Sequence, residues 1–264
     1  MNASSSAASI GVFDSGVGGL SVLRALRHRL PDVSLLYVAD SAYAPYGPRS
    51  TEDITARSLR VTQHLVDSGA RMIVVACNTA TTAAIEQLRA TWPALPFVGV
   101  EPGIKPAIAR SRRKRVAVMA TTATINSLRV RKLVELHGGG AHVHLQACPG
   151  LVDAIEAGRI DGPALASVLK PHCDSILAAE VDTVVLGCTH YPFIAEQIQS
   201  LLGPEIELID TANAIAERAA TQWLGPSSTA PRLRLQNTGD TAVMAALARQ
   251  WLGFEGEVEA ISLD

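Results

Sequence analysis

The sequence predicts an α/β protein with parallel sheets, organised in two matched halves. Short apolar runs rich in Val, Ile and Leu alternate with longer segments of helical period, as expected of strands buried on both faces and joined by crossover helices. Aromatic residues make up only 4% of the 264 residues, so the core must be aliphatic, which suits helices packed closely on a parallel sheet. Self-similarity at an offset of about 110 residues supplies the two halves. RMIVVACNTA answers DTVVLGCTHY, IGVFDSG parallels VAVMATT, LLYVADS parallels VHLQACP, and FVGVEPG parallels ELIDTAN.

Taken in order, the predicted strands of the first half are Ser9 to Phe13, Leu35 to Ala39, Met72 to Ala76 and Phe97 to Val100. Those of the second are Arg115 to Met119, His142 to Gln146, Thr183 to Leu186 and Glu207 to Ile209. Between them, 20–30, 51–68, 80–90, 124–137, 162–179, 193–202 and 212–224 carry helical periodicity, and Pro171 should kink the fifth of these. A short strand and a helix, Thr241 to Leu252, are left over after the linker Gly225 to Pro231. The basic run Ser111 to Arg115 reads as a solvated linker at a hinge between the halves. The first nine residues should be frayed.

Composition excludes several function classes. The formal charge of −2 leaves no electrostatic footprint for a nucleic-acid duplex or an anionic membrane, so the expected partner is a small molecule. The longest apolar stretch, Met72 to Ile85, is interrupted by Asn78 and threonines and is too short to cross a bilayer. Cys77, Cys148, Cys173 and Cys188 form no CxxC pair, and MNASSSAAS lacks the basic and apolar regions of a secretory signal. The expected compartment is the reducing cytoplasm.

In open parallel sheets ligands bind beyond the carboxyl ends of the strands. The informative edges are Asp14-Ser15-Gly16, Asp40-Ser41, Cys77-Asn78-Thr79, Glu101-Pro102-Gly103, Cys188-Thr189-His190 and Asp210-Thr211. Gly16-Val17-Gly18-Gly19 invites a dinucleotide-binding reading, but Ser21 stands where the fingerprint needs glycine, so an anion-binding turn is preferred. Cys77 and Cys188 each follow a strand and precede a helix, whose N-terminus should lower the thiol pKa. Facing each other across a cleft, they could take a proton from one face of a carbon and return one to the other. Asp14 and His190 are candidate auxiliaries, though an N-cap aspartate and a loop histidine are the plain alternatives. His190 has no neighbour at metal-ligand spacing. Cys148 and Cys173 read as packing residues.

These residues resemble the glutamate racemases. The similarity rests on DSGVGGLSVL (14–23), ADSAYAPYGPRS (39–50), ACNTATTAA (76–84), GVEPG (99–103), VLGCTHYP (185–192), IDTANAIA (209–216) and NTGD (237–240). The resemblance implies cofactor-independent interconversion of L- and D-glutamate, supplying D-glutamate for peptidoglycan. It implies Cys77 and Cys188 as the catalytic acid/base pair, assisted by Asp14, Glu156 and His190. Asp14, Ser15, Tyr46, Gly47, Asn78, Thr79, Thr189 and His190 would bind substrate, with no metal. It further implies two similar doubly wound domains, 1–99 with 211–264 and 100–210, with the active site between them, and a homodimer. The chain departs from the pattern at CPGLVDAIE (148–156) and at Val130, where an aromatic residue is common. An aspartate racemase of the same two-cysteine group, and a binding protein without catalysis, are the alternatives.

Overall fold

The computed structural model describes residues 8–263. Contacts group the chain into two compact units. One comprises the chain up to Tyr46, Ser50–Val100, and the chain from Ala212 onward; the other comprises Gly47–Arg49 and Glu101–Thr211.

The first unit holds β1 (Ser9–Asp14), β2 (Ser34–Ala39), β3 (Ala70–Val75), β4 (Phe97–Gly99), β9 (Leu233–Asn237) and β10 (Val258–Ala260) in one six-stranded sheet, ordered β10-β9-β2-β1-β3-β4. The second holds β5 (Arg115–Ala120), β6 (His142–Ala147), β7 (Thr183–Leu186) and β8 (Glu207–Ile209), ordered β6-β5-β7-β8. Every pairing is parallel. The order β2-β1-β3-β4 recurs as β6-β5-β7-β8, so the internal repeat in the sequence is a repeat of topology. The first unit then adds β9 and β10 beyond β2, which accounts for the elements left over at the C-terminal end.

Parallel order forces a crossover helix between successive strands, and the aliphatic runs are buried because helices cover the sheets. Two apolar clusters follow. Phe13, Val38, Ile54, Val61, Ile73, Val75 and Leu88 belong to the first; Ile104, Val116, Val118, Val130, Val185 and Ile209 belong to the second. In each sheet the chain leaves the central strand in opposite directions, so β1/β3 and β5/β7 mark the switch points. The carboxyl ends there are the natural ligand sites. Asp14 and Cys77 lie at the first switch point, Ala120 and Cys188 at the second.

The helices α1 (Leu20–Arg29), α2 (Thr51–Asp67), α3 (Asn78–Thr91), α8 (Gly162–Ala178), α9 (Ala195–Leu202), α10 (Ala212–Gln222) and α11 (Thr241–Leu252) follow the predicted periodicity within a few residues. The helix predicted over 124–137 is two, α5 (Thr122–Asn126) and α6 (Leu128–His137). Ser127 stands between them in extended conformation and caps the second through Val130 N–H. The helix predicted over 193–202 begins only at Ala195, and residues 191–194 form a 3-10 turn with Pro192 in its first turn. α8 runs unbroken through Pro171. Two short helices, α4 (Ile104–Arg110) and α7 (Leu151–Glu156), were not legible as periodic segments.

Two further expectations are corrected. The run Ser111 to Arg115 is not a hinge between halves: it joins α4 to β5 inside the second unit. Asp182 accepts from Ser111 Oγ (2.5 Å) and Arg113 N–H (2.8 Å), while Arg115 donates to the carbonyls of Ala179 and Glu180. The frayed N-terminus was predicted over nine residues; residues 1–7 lie outside the described residues, and Ser9 already belongs to β1, paired with Ser34. Among the described residues no helix is long and apolar enough to cross a membrane.

Candidate active site

In the first unit, β1 ends in Asp14 and the chain turns sharply through Ser15 and Gly16. Asp14 Oδ1 accepts from Ser15 Oγ (3.1 Å) and from Gly16 N–H (3.0 Å), and Tyr37 Oη donates to Gly16 O (2.6 Å), pinning the turn. A Cβ on Gly19 would fall 2.8 Å from both Asp14 Cβ and Tyr37 Oη, so only glycine lets the chain return this close. The N–H groups of Gly16, Leu20 and Ser21 are occupied by Asp14 and by the carbonyls of Val17 and Gly18. The anion-binding turn expected at Gly16 to Gly19 therefore lacks those three donors.

Cys77 is the N-cap of α3, and its Sγ accepts from Ala80 N–H (3.4 Å). Its own S–H donates to Ser15 Oγ (3.6 Å), so a chain runs from the Cys77 thiol through the Ser15 hydroxyl to the Asp14 carboxylate. All three are buried. The thiol is pushed up to about 12, first by burial and then by the Asp14 carboxylate, against the smaller pull of Ala80 N–H and Ser15. This corrects the expectation of a helix-lowered thiol: at 4% exposure, desolvation outweighs the helix N-terminus. Asn78 and Thr79 form the first turn of α3, and Asn78 Oδ1 is buried with no hydrogen-bond partner among the described residues.

In the second unit, β7 leads through Gly187 into Cys188, Thr189 and His190. A Cβ on Gly187 would come within 2.8 Å of Met119 O, so the strand end packs directly against β5. Cys188 precedes a 3-10 turn (Tyr191–Ile194), whereas Cys77 opens a long α-helix, so the two settings are less alike than the strand-Cys-helix pattern suggests. Cys188 Sγ lies 3.6 Å from His190 Nδ1, and His190 Nε2 lies 2.5 Å from Glu156 Oε1 at the end of α7. Burial pulls the imidazolium down, but the hydrogen bonds to Cys188 and Glu156 outweigh it, leaving the His190 pKa well above the usual histidine range.

The structure thus gathers Asp14, Ser15, Cys77, Asn78 and Thr79 in one unit, and Glu156, Cys188, Thr189 and His190 in the other. Tyr46 is buried in the apolar cluster that contains Cys77, and its hydroxyl donates to Asp40 (2.6 Å). Gly47 is grouped with the second unit. Cys148 and Cys173 are buried and free, with thiols pushed up to about 12 and about 11 by burial. Sequence reasoning missed Arg57, although a charged residue at helical spacing among Ile54, Val61 and Leu65 was a readable signal for a buried ion pair. It also missed Tyr37, which carries no such mark, and gave no role to Thr238 within the NTGD segment.

Residues 17–219 match the Asp/Glu/hydantoin racemase family, and a glutamate racemase of Ectopseudomonas mendocina is 45% identical over 258 residues, 96% of this chain and 98% of that one. The chain belongs to the Asp/Glu/hydantoin racemase family. It is accordingly an amino-acid racemase, an isomerase. Among solved structures, Escherichia coli glutamate racemase in complex with L-glutamate and the activator UDP-MurNAc-Ala superposes with a TM-score of 0.87 at 30% identity, covering 98% of this chain and 99% of that one. The Francisella tularensis glutamate racemase in complex with D-glutamate gives 0.85 at 28% identity, with the same coverages.

Proposed function

We propose that the protein interconverts L- and D-glutamate by moving the α-proton between two thiols, Cys77 and Cys188, without an organic cofactor. The observation that carries this reading is the paired design of the two strand ends. Each thiol begins a three-member chain that terminates in a carboxylate: Cys77–Ser15–Asp14 and Cys188–His190–Glu156. The similarity to glutamate racemases over nearly the whole chain supports glutamate as the substrate.

Racemisation by two groups needs one thiolate and one thiol at the same moment. The environments supply that difference. His190 holds its proton to high pH beside Cys188, while burial and Asp14 keep Cys77 as a thiol. In one direction the Cys188 thiolate takes the α-proton, forming an S–H bond and leaving the C–H electron pair delocalised into the substrate carboxylate. Cys77 S–H then protonates the opposite face. In the other direction the roles exchange, and Ser15 and Asp14 accept the proton that Cys77 must lose. Hydrogen bonds from Ser15, Asn78, Thr79 and Thr189 stabilise the developing negative charge. Asn78 Oδ1, a buried acceptor without a partner among the described residues, is suited to the substrate ammonium; such an orphan costs about 1–3 kcal/mol, which ligand binding would offset.

The product D-glutamate would serve peptidoglycan synthesis in the cytoplasm, a compartment compatible with four free thiols. Polarimetry with each enantiomer of glutamate and of aspartate tests the reading. Loss of optical rotation with glutamate is the expected result; rotation lost only with aspartate, or with neither, would overturn it.

A further inference from the structure

The NTGD turn (237–240) and the buried arginine of α2 take no part in the chemistry above, yet both converge on the segment that leads to Tyr46. Asp40, fully buried just after β2, has four donors on its carboxylate. Oδ2 accepts from Tyr46 Oη (2.6 Å) and Arg57 Nε (3.0 Å); Oδ1 accepts from Arg57 Nη2 (2.7 Å) and Thr238 Oγ1 (3.0 Å). Three separated stretches of chain therefore meet on one side chain. Thr238 Oγ1 also accepts from Ala42 N–H (3.1 Å), so the segment 41–46 is held near both its ends. In between, the Arg57 guanidinium lies 3.6 Å from the centroid of the Tyr43 ring, and its remaining arm donates to Leu263 O (2.6 Å).

The turn that presents Thr238 is itself braced. Asn237 Oδ1 accepts from Gly239 N–H (2.8 Å) and Asn237 Nδ2 donates to Asp240 O (3.0 Å). A Cβ on Gly239 would lie 3.0 Å from Ala42 N and 3.1 Å from Ser41 Cβ, so the absence of a side chain lets the turn press against the segment. A buried ion pair is weak support for stability when compared with apolar residues of the same shape, but a saturated one holds its partners in a single arrangement.

We propose that Asp40, Arg57 and Thr238 are positioning residues for substrate binding: they hold 41–46 so that the Tyr46–Gly47 peptide meets the substrate in one geometry. The proposal rests on the racemase reading of that dipeptide. The C-terminal part of the chain, through Thr238 and Leu263, thereby acts on a binding element far earlier in sequence, Asp40 lying 198 positions before Thr238.

Thr238→Val and Tyr46→Phe each remove one hydroxyl and leave the Arg57–Asp40 pair in place. Two measurements decide the matter. Amide hydrogen exchange over 41–47, read without substrate, should quicken by about fivefold or more while β1 and β3 stay unchanged. KM for both glutamate enantiomers should rise about tenfold, with kcat changing less than about threefold, and Thr238→Ser should restore both readouts. Unchanged exchange would overturn the bracing; faster exchange with KM unchanged would overturn the positioning role. Exchange is independent of substrate identity, so a wild-type protein inactive on glutamate would sink the proposed function while the bracing is still judged.

Discussion

The two strand ends that carry the cysteines share one backbone plan and differ in the side chains that join each thiol to a carboxylate. The backbone hydrogen bonds match: Ala76 N–H donates to Phe13 O and Gly187 N–H to Met119 O, both at 2.8 Å, and Asp40 N–H to Asp14 O as Cys148 N–H to Ala120 O. The side chains do not. Where the first unit has Asp14 at the end of its central strand, the second has Ala120, and its carboxylate, Glu156, arrives from a helix instead. The first unit joins thiol to carboxylate through a hydroxyl, the second through an imidazole. A repeated fold thus surrounds the same residue type with different neighbours, and under the proposed mechanism those neighbours set which thiol keeps its proton.

The largest effect should come from removing either sulfur. Cys77→Ala and Cys188→Ala should each lower the racemisation rate by roughly 10³-fold or more, within the range of one general acid–base group, as measured by circular dichroism with both enantiomers. A variant retaining near wild-type activity would break the symmetry of the comparison. His190→Asn should cost roughly 10²-fold, since it leaves Glu156 and Cys188 without their relay. Enantiomers are equal in free energy, so kcat/KM must fall equally in both directions. The kcat values, however, should part, with the greater loss in the direction that uses Cys188 as base.

Alkylation sharpens the contrast in the resting protein. Iodoacetamide should label Cys188, whose sulfur lies 3.6 Å from His190 Nδ1, at least about tenfold faster than Cys77 at pH 8, because burial and Asp14 push the Cys77 thiol up to about 12. Peptide mass mapping reads both sites at once, and labelling of Cys77 should climb with each added pH unit. Ser15→Ala, which cuts the hydroxyl relay but leaves Asp14, should slow turnover by about tenfold. The smallest effect concerns stability. His190 is raised above its unfolded value, so the stabilisation it supplies is complete below about pH 6.5 and is lost as pH rises through its folded value. The gap in thermal midpoint between the wild type and His190→Gln should therefore narrow as pH rises above 7.

Much of this was legible in the sequence where a signal was local. The eight repeated strands announce themselves by aliphatic runs, and Cys77, Asp14, Cys188 and His190 by following them directly. The short helices α4 and α7 were hidden because seven and six residues give no period to read, and Pro106 and Gly150 suggest loops. Ser127 splits a helical pattern whose composition runs through it. The direction of the Cys77 shift was misread for a physical reason: the helix N-terminus is visible in sequence, whereas burial and the approach of Asp14 from 63 residues away are tertiary. The Asp40–Arg57–Thr238 cluster was illegible for the same reason, apart from the misplaced charge on the apolar stripe of α2.

The central claim, that distinct thiols remove and return the α-proton, is tested most directly by racemisation in D2O followed by NMR at early conversion, starting from each enantiomer. The account predicts a deuteron at the α-carbon of product from the first turnovers and none in the remaining substrate, because the donor thiol has exchanged with solvent and the acceptor holds the abstracted proton. Product that retains the substrate's own proton would show a single group doing both jobs and would contradict the account.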